Sequence, residues 1–201
     1  MTIFLSSKSG GGKPPFFSES VQNSSYISGK YYLASVSYSG LTSFTSYTTG
    51  NIYFVPFVPK KTHTFDRLAF RTNTSSGNVR LGVADSGTDG NPDNLIIDSG
   101  AVTISGAGIY ETTISQSLSA GTKYWLVFTT SGTVGILSSV PTAASFITSP
   151  LSGSQDGFES YQITTDIFGV LIQTGFTYGA LPATFTADSS AAIAPILFLR
   201  G

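Results

Sequence analysis

The stretch Lys123-Tyr124-Trp125-Leu126-Val127-Phe128-Thr129 decides the fold class, because large apolar side chains fill all of its central positions. Successive side chains of a β-strand point to opposite faces. One face would carry Tyr124, Leu126 and Phe128, and the other would carry Trp125 and Val127. A strand that is apolar on both faces lies inside a sheet that is covered on both sides. The stretch therefore predicts a central strand, with Trp125 in the core or in a subunit interface rather than in a sugar-binding platform.

Three further stretches show apolar alternation, at 50–58, 64–72 and 78–84. Their alternating apolar positions are Ile52, Phe54, Val58, Leu68, Phe70, Val79, Leu81 and Val83. Clusters of turn-favouring Gly, Asn, Asp and Ser separate the strands at 72–78, 85–92, 105–108 and 119–122. Few windows keep helix-forming residues at a 3.6-residue period. The sequence therefore predicts an all-β protein, an antiparallel β-sandwich of jelly-roll-like form.

The pattern is looser toward the end of the chain. Ala, Ser, Thr and Pro dominate residues 141–150 and 174–195, which predicts long loops. The apolar run Ile196-Leu197-Phe198-Leu199 predicts a final core strand.

The charge balance excludes several classes of partner. Of the 201 residues only 10% are charged, and 10 Lys and Arg against 11 Asp and Glu leave a net charge of -1. Nucleic-acid binding needs a basic surface, so we expect no nucleic-acid partner. The chain has no cysteine, which excludes disulfides and thiolate metal sites. No apolar run reaches the roughly 18 to 20 residues of a membrane span, and residues 1–8 lack the features of a signal peptide, so we expect a soluble chain without a membrane partner.

The first 28 residues differ in composition from the rest. A flexible Ser- and Gly-rich stretch at 6–12 leads into the stiff segment Lys13-Pro14-Pro15. Large apolar side chains flank these segments at Phe4, Leu5, Phe16 and Phe17. Exposed apolar surface usually marks an interaction site, so we predict that residues 1–28 form an N-terminal arm that docks on another chain. The alternative is an edge strand packed on its own β-sandwich domain, which we assign to residues 29–201.

Tyrosine is concentrated between residues 26 and 53. Tyrosine offers a large contact area and a polar hydroxyl at low entropic cost, which suits recognition. We take Tyr31, Tyr32, Tyr38 and Tyr47 as candidates that face a receptor. The alternative is that strand positions simply favour tyrosine.

The single histidine, His63, stands three residues before Asp66. A Ser-His-Asp triad needs a carboxylate and a nucleophile to converge on the histidine. Residues 63 and 66 differ in strand parity, so their side chains point to opposite faces. We interpret His63 as a strand-end surface histidine and predict no catalytic residue. A hydrolytic carboxylate pair, Glu111 with Glu159, stays open as an alternative that no other feature of the sequence favours.

Four aspartates cluster around the Gly90-Asn91-Pro92 turn, at positions 85, 89, 93 and 98. Oxygen-rich loops suit calcium, but the EF-hand pattern fails because Gly87 holds its third position and Ile96 its twelfth. The alternative is a hairpin turn in which Asp and Asn side chains bond their own backbone and Gly90 supplies a positive φ. The Ser9-to-Pro14 stretch lacks the spacing of a phosphate-binding loop, and we expect no cofactor and no resident metal.

Several motifs together resemble a family of bacteriophage virion structural proteins. They are Val79-Arg80-Leu81-Gly82-Val83-Ala84-Asp85, the turn and strand at 89–100, and Leu118-Ser119-Ala120-Gly121-Thr122-Lys123-Tyr124-Trp125-Leu126. Two flanking pieces agree, the Pro56-Phe57 strand at 53–58 and the loop Gly179-Ala180-Leu181-Pro182-Ala183-Thr184. They occur in the family's order over residues 29–201, with Ala84 where the family usually has tyrosine. The resemblance implies a jelly-roll-like sandwich of the kind found in tail fibres, host-attachment proteins and capsid decoration proteins. It further implies a homotrimer and no enzymatic activity.

The sequence therefore predicts a tail fibre or host-attachment component of a virion, assembled in the bacterial cytoplasm and extracellular in the mature particle. Its expected partners are other virion proteins, through the arm, and a host surface glycan or protein. Two alternatives stay open, a decoration protein that cements the capsid and, least favoured, a polysaccharide-degrading tail spike.

Overall fold

The computed structural model describes residues 26, 28–33, 38–74, 76–141, 170–191 and 193–201, with the backbone alone at 33, 38–42 and 139–141. All regular secondary structure in these ranges is β-strand. The strands are β1 Tyr31–Leu33, β2 Tyr38–Tyr47, β3 Ile52–Phe57, β4 His63–Thr72, β5 Gly77–Ser86, β6 Pro92–Ile104, β7 Gly108–Leu118, β8 Tyr124–Thr130, β9 Val134–Pro141, β10 Val170–Gln173, β11 Ser189–Ala191, β12 Ala194–Pro195 and β13 Leu197–Arg200.

The strands form two sheets in which every pairing is antiparallel. The six-stranded sheet has the order β11-β10-β3-β8-β5-β6. In the seven-stranded sheet, β4 is flanked by β13 on one edge and β7 on the other, and β1 pairs with β13. Near Thr72, β9 takes the place of β13 beside β4, and β9 also pairs with β2 and β12.

The central core lies between the two sheets. Phe65, Leu68 and Phe70 of β4 belong to one buried cluster with Leu126 and Phe128 of β8. Fully burying a large apolar side chain contributes about 1.5 to 3 kcal/mol, so this cluster is the main source of stability. The prediction of an all-β antiparallel sandwich is confirmed.

A second apolar cluster covers the opposite face of the six-stranded sheet. Residues 174–188, which we call the strap, cross this face and place Leu181 and Phe185 against Phe54, Trp125 and their neighbours. Backbone hydrogen bonds hold the strap at both ends, from Phe176 N to Gly50 O at 2.9 Å and from Phe185 N to Asp93 O at 2.8 Å. Trp125 is therefore buried in the core, as predicted.

Most of the predicted strands and turns are confirmed. The stretches at 50–58, 64–72, 78–84 and 123–129 correspond to β3, β4, β5 and β8, and the final apolar run to β13. The four turn clusters lie between β4 and β5, β5 and β6, β6 and β7, and β7 and β8. Apolar alternation predicted neither of the long strands β6 and β7, although the resemblance includes a strand within 89–100, where β6 lies. Of the loop expected at 174–195, residues 174–188 are a long loop, but β11 and β12 occupy 189–191 and 194–195, so that part of the prediction is wrong. Of the loop expected at 141–150, residue 141 ends β9 and 142–150 lie outside the described residues.

Candidate functional site

The candidate site is the outer face of the seven-stranded sheet, the surface that turns away from the central core. Strand register sets three rows of side chains across it. The first row is Tyr31, Arg200, Arg67 and Thr113, the second is Phe198, Ala69 and Glu111, and the third is Phe44, Leu137, Arg71 and Ile109. Among the described residues, three of the four exposed large hydrophobic side chains lie on this face: Tyr31, Phe44 and Ile109.

A polar network links Tyr31, Asp66, Arg67, Glu111 and Arg200 at one end of the outer face. Arg200 donates from Nε and Nη2 to the two carboxylate oxygens of Asp66, at 2.8 and 2.7 Å. Arg67 Nε lies 3.4 Å from Glu111 Oε1, and the Tyr31 hydroxyl donates to Glu111 Oε2. The guanidinium carbon of Arg200 lies 6.0 Å from the centre of the Tyr31 ring. The network holds two charged pairs and one aromatic ring in fixed positions.

These contacts shift the pKa values of the groups in the polar network. The hydrogen bonds from Arg200 lower the pKa of Asp66, and the hydrogen bond from Tyr31 lowers the pKa of Glu111. The same hydrogen bond raises the pKa of Tyr31, because Glu111 is negatively charged. Around neutral pH both carboxylates are therefore ionised and the Tyr31 hydroxyl is neutral.

The third row, which we call the outer row, is apolar apart from its arginine. Ile109 is 70% exposed and Phe44 is 38% exposed. The guanidinium carbon of Arg71 lies 5.8 Å from the centre of the Phe44 ring, and Arg71 pairs with Ile109 across β4 and β7. Within the described part of the chain Arg71 makes no ion pair. The outer row thus presents a cation between an exposed ring and an exposed aliphatic side chain.

The four tyrosines predicted to face a receptor lie in different environments. Tyr31 is 43% exposed on the outer face, whereas Tyr32 is partly buried and packs edge-on against Tyr26 at 4.7 Å. The side chain of Tyr38 lies outside the described residues. Tyr47 is 3% exposed, and its hydroxyl hydrogen bonds with Ser138 Oγ at 3.0 Å.

The placement of Tyr47 corrects the prediction that it faces a receptor. Its ring packs in the central core against Tyr53 and Phe128, at 4.8 and 5.3 Å between ring centres. Burial raises its pKa, so the hydroxyl stays neutral. The other residues singled out in the sequence, Phe4, Leu5, Phe16, Phe17 and Glu159, lie outside the described residues.

His63 stands at the start of β4, at the strand end where it was predicted, but it is partly buried. Its ring lies 5.0 Å from that of Tyr26 and 5.1 Å from that of Phe65. Nε2 is buried without a hydrogen-bond partner among the described residues. Asp66 is bound to Arg200 instead, so the two residues do not form a dyad.

The aspartates at the turn between β5 and β6 bond to their own loop. Asp89 accepts from the backbone N–H of Asn91 at 3.0 Å, and Asp85 accepts from that of Asn94 at 2.6 Å. Gly90 has a φ of +81°. The structure therefore has the hairpin turn that was the alternative to a calcium loop. In the described ranges, no three His, Asp or Glu side chains gather closely enough to hold a metal ion.

A cavity of about 430 Å³ opens between this turn and the strap. We call it the acidic cavity; its lining includes Thr88, Asp89, Asn91, Asp93, Phe185 and Thr186. Hydrogen bonds from Asn91 lower the pKa of Asp89, so this carboxylate is ionised at neutral pH. Next to the turn, Lys123 Nζ donates to Gly90 O at 2.8 Å.

Apart from Tyr31, the residues that make the outer face distinctive were not predicted from the sequence. Arg67 and Arg71 have the same strand parity as Ala69, and this spacing could have marked a polar outer stripe on β4. Phe44 and Ile109 give no such signal, because an apolar residue in a strand is most often buried.

Comparisons with known proteins add little. No protein-family model and no curated protein matches the chain. Two solved structures of Cwp84, a surface layer associated protein of Clostridium difficile, are similar at 13% identity: its cysteine protease and lectin-like domains, with a TM-score of 0.42, and the protease after propeptide cleavage, with a TM-score of 0.45. They cover 78% and 85% of this chain, which spans only 34% and 40% of theirs. Similarity at this level assigns neither fold nor function. In the part of the chain that the structure describes, no helix is long and apolar enough to cross a membrane.

Proposed function

We propose that this chain is a non-enzymatic structural protein of a bacteriophage virion, a tail fibre or host-attachment component that works by surface contact. The observation that supports the proposal is the outer face, where exposed aromatic and aliphatic side chains surround arginines on a rigid sheet. Arginine and aromatic residues are enriched in the centres of protein interfaces, where they contribute most of the binding energy.

The way in which the sandwich presents this face also supports a role in adhesion. Its strands are held on the inner side by the central core, so the side chains of the outer face keep fixed relative positions. The polar network neutralises Asp66 and Glu111 with Arg200 and Arg67. Preorganised side chains lose little conformational entropy on binding, which favours contact with a second surface.

Tyr31 is the candidate for contact with a host surface glycan or protein, and the roles of Tyr32 and Tyr38 stay predictions. The arm at residues 1–28, with Phe4, Leu5, Phe16 and Phe17, would anchor the sandwich to a neighbouring virion protein. A homotrimer fits this proposal, because fibre components act in closed symmetric assemblies.

The position and copy number of the chain in phage particles test the proposal. Gold-labelled antibodies against the purified protein should mark the tail in electron micrographs. The amount relative to the major capsid protein should correspond to a tail part, a few to some tens of copies. Label over the whole head, with hundreds of copies, would assign the chain to capsid decoration, and its absence from particles would exclude a virion role.

A competition experiment tests the contact surface. Purified protein should slow phage adsorption to host cells, and Tyr31→Ala should require about tenfold more protein for the same effect, the equivalent of about 1.4 kcal/mol. Lys60→Ala, in the exposed loop between β3 and β4, is the matched control and should compete like the unchanged protein. Equal competition by Tyr31→Ala would remove Tyr31 from the contact surface.

A further inference from the structure

We propose that copies of this chain associate head to tail, with the outer row of one copy seated in the acidic cavity of the next. This self-association goes beyond the proposed function, because it uses the outer row, whereas the host contact proposed above uses Tyr31 in the first row of the same face. It assigns a partner to two surfaces that the fold leaves exposed.

The outer row combines exposed apolar side chains with one positive charge. Ile109, at 70% exposure, projects beside Arg71, whose guanidinium group lies over the exposed Phe44 ring. A guanidinium group held against a ring presents a planar set of donors that suits a carboxylate. The row therefore fits a concave surface that combines apolar area with negative charge.

The acidic cavity combines these two properties. Asp89 and Asp93 contribute two carboxylates to its lining, of which Asp89 interacts electrostatically with Lys123, and Phe185 and Ala187 supply apolar lining. Asp89 Oδ1 and Oδ2 each accept one hydrogen bond from Asn91, which leaves further acceptor sites on both oxygens. Asp93 Oδ2 accepts from Asn94 Nδ2 at 3.1 Å.

The two surfaces lie at opposite ends of the sandwich, which decides the geometry of association. The outer row crosses the sheet beside Thr72, and β5 starts five residues later at Gly77 and ends at Ser86 beside the cavity. A ten-residue strand spans about 30 Å. A contact between different surfaces of identical copies is heterologous, so repeating it closes a ring or extends a filament. The contact is smaller than a standard interface, and we expect association at about micromolar to millimolar protein.

Disulfide trapping tests the contact directly, because the chain has no cysteine. Ile109→Cys places one thiol on the outer row, and Thr88→Cys places one at the acidic cavity. Under mild oxidation, a mixture of the two variants should give a cross-linked dimer that contains one copy of each. Either variant alone should give little dimer. A dimer of Ile109→Cys with itself, or equal cross-linking in all three samples, would overturn the head-to-tail contact.

Charge reversal gives a second test, in which sedimentation measures self-association at about micromolar to millimolar protein. Arg71→Glu and Asp89→Arg should each weaken association at least tenfold, and the chain with both changes should regain it. Lys60→Glu is the matched control for a reversed surface charge and should associate like the unchanged protein. Three results would each overturn the proposal. The unchanged protein could stay monomeric at every concentration, the single variants could associate normally, or folded single variants could fail to regain association when the two changes are combined. Circular dichroism checks that every variant is folded. If a charge variant does not fold, the disulfide trapping with Ile109→Cys and Thr88→Cys tests the contact in its place.

Discussion

At the scale of single residues, Lys123 combines opposing influences on its charge. Burial disfavours the ammonium group, whereas the negative charge of Asp89 favours it, and the Trp125 ring at 4.1 Å and the carbonyl of Gly90 also contact it. Burial dominates and lowers the pKa of Lys123 from 10.5 to about 8. Below pH 8, Lys123 is charged in both states, but only in the folded protein is the charge buried, which lowers the free energy of unfolding.

We predict that Lys123→Met changes how stability depends on pH. Between about pH 8 and the unfolded pKa of 10.5, the unfolded chain binds the proton that the folded protein has lost, so stability rises with pH. From pH 8 to about pH 9.5 this rise should be roughly 1 to 2 kcal/mol larger in the unchanged protein than in Lys123→Met. Urea unfolding followed by circular dichroism measures the difference. Lys60→Met, which removes an exposed charge, should keep the rise, and an identical pH profile in Lys123→Met would contradict the burial of its charge.

At the scale of elements, the strap is held by close contact with β5 and β6. A Cβ atom at Gly82 would lie 2.6 Å from Leu181 Cδ1 and 2.7 Å from the carbonyl oxygen of Ile97. Asp98 Oδ2 accepts from both Arg80 Nη1, at 2.6 Å, and the backbone N–H of Leu181, at 3.0 Å. The strap thus packs directly on Gly82, and the Asp98 carboxylate adds a side-chain link to the backbone hydrogen bonds that hold the strap.

We predict that Gly82→Ala destabilises the protein by about 1 to 3 kcal/mol, because the strap or β6 must move to admit the methyl group. Trp125 is the only tryptophan and lies under the strap, so its emission should shift to longer wavelength if the strap is displaced. Gly106→Ala is the matched control, since its Cβ would meet nothing within 4 Å. Equal unfolding midpoints for the two variants would show that the strap does not press on Gly82.

The elements also show where sequence patterns suffice. The strand β8 could be predicted because it is apolar on both faces, and β3, β4 and β5 because they alternate. Apolar alternation did not predict β6, because three register shifts against β5 interrupt it, nor β7, because Thr112 and Gln116 take inward positions among Tyr110, Ile114 and Leu118. Tyr47 and Phe44 lie on the same strand, one buried and one exposed. Only the pairing of β2 with β9 decides which residue faces the core, and local sequence does not contain that pairing.

At the largest scale, Tyr26 and residues 28–33 pack against the body of the sandwich and its last described strand, β13. Gly29 N donates to Gly201 O at 2.5 Å, and Gly201 N donates to Lys30 O at 3.1 Å. Tyr26 packs against Phe65 at 4.9 Å, and its hydroxyl accepts from the backbone N–H of Lys60 at 3.2 Å. The packed body therefore includes Tyr26, two residues inside the arm that we predicted to end at residue 28.

This packing predicts different behaviour of two closely related truncations. A chain that lacks residues 1–25 keeps the Tyr26 ring, whereas a chain that lacks residues 1–28 loses it together with its contacts to Tyr32, His63 and Phe65. Aromatic pairs contribute about 0.5 to 1.5 kcal/mol each beyond the area that they bury, so the shorter chain should be less stable by roughly 2 to 3 kcal/mol. For a chain of this length the melting temperature should fall by about 5 to 10 °C relative to the longer truncated chain. Calorimetry of both truncated chains measures it, and Tyr26→Ala in the full chain should reproduce most of the loss. Equal melting temperatures for the two truncated chains would place the boundary of the folded body after residue 28, because Tyr26 would then contribute nothing to its stability.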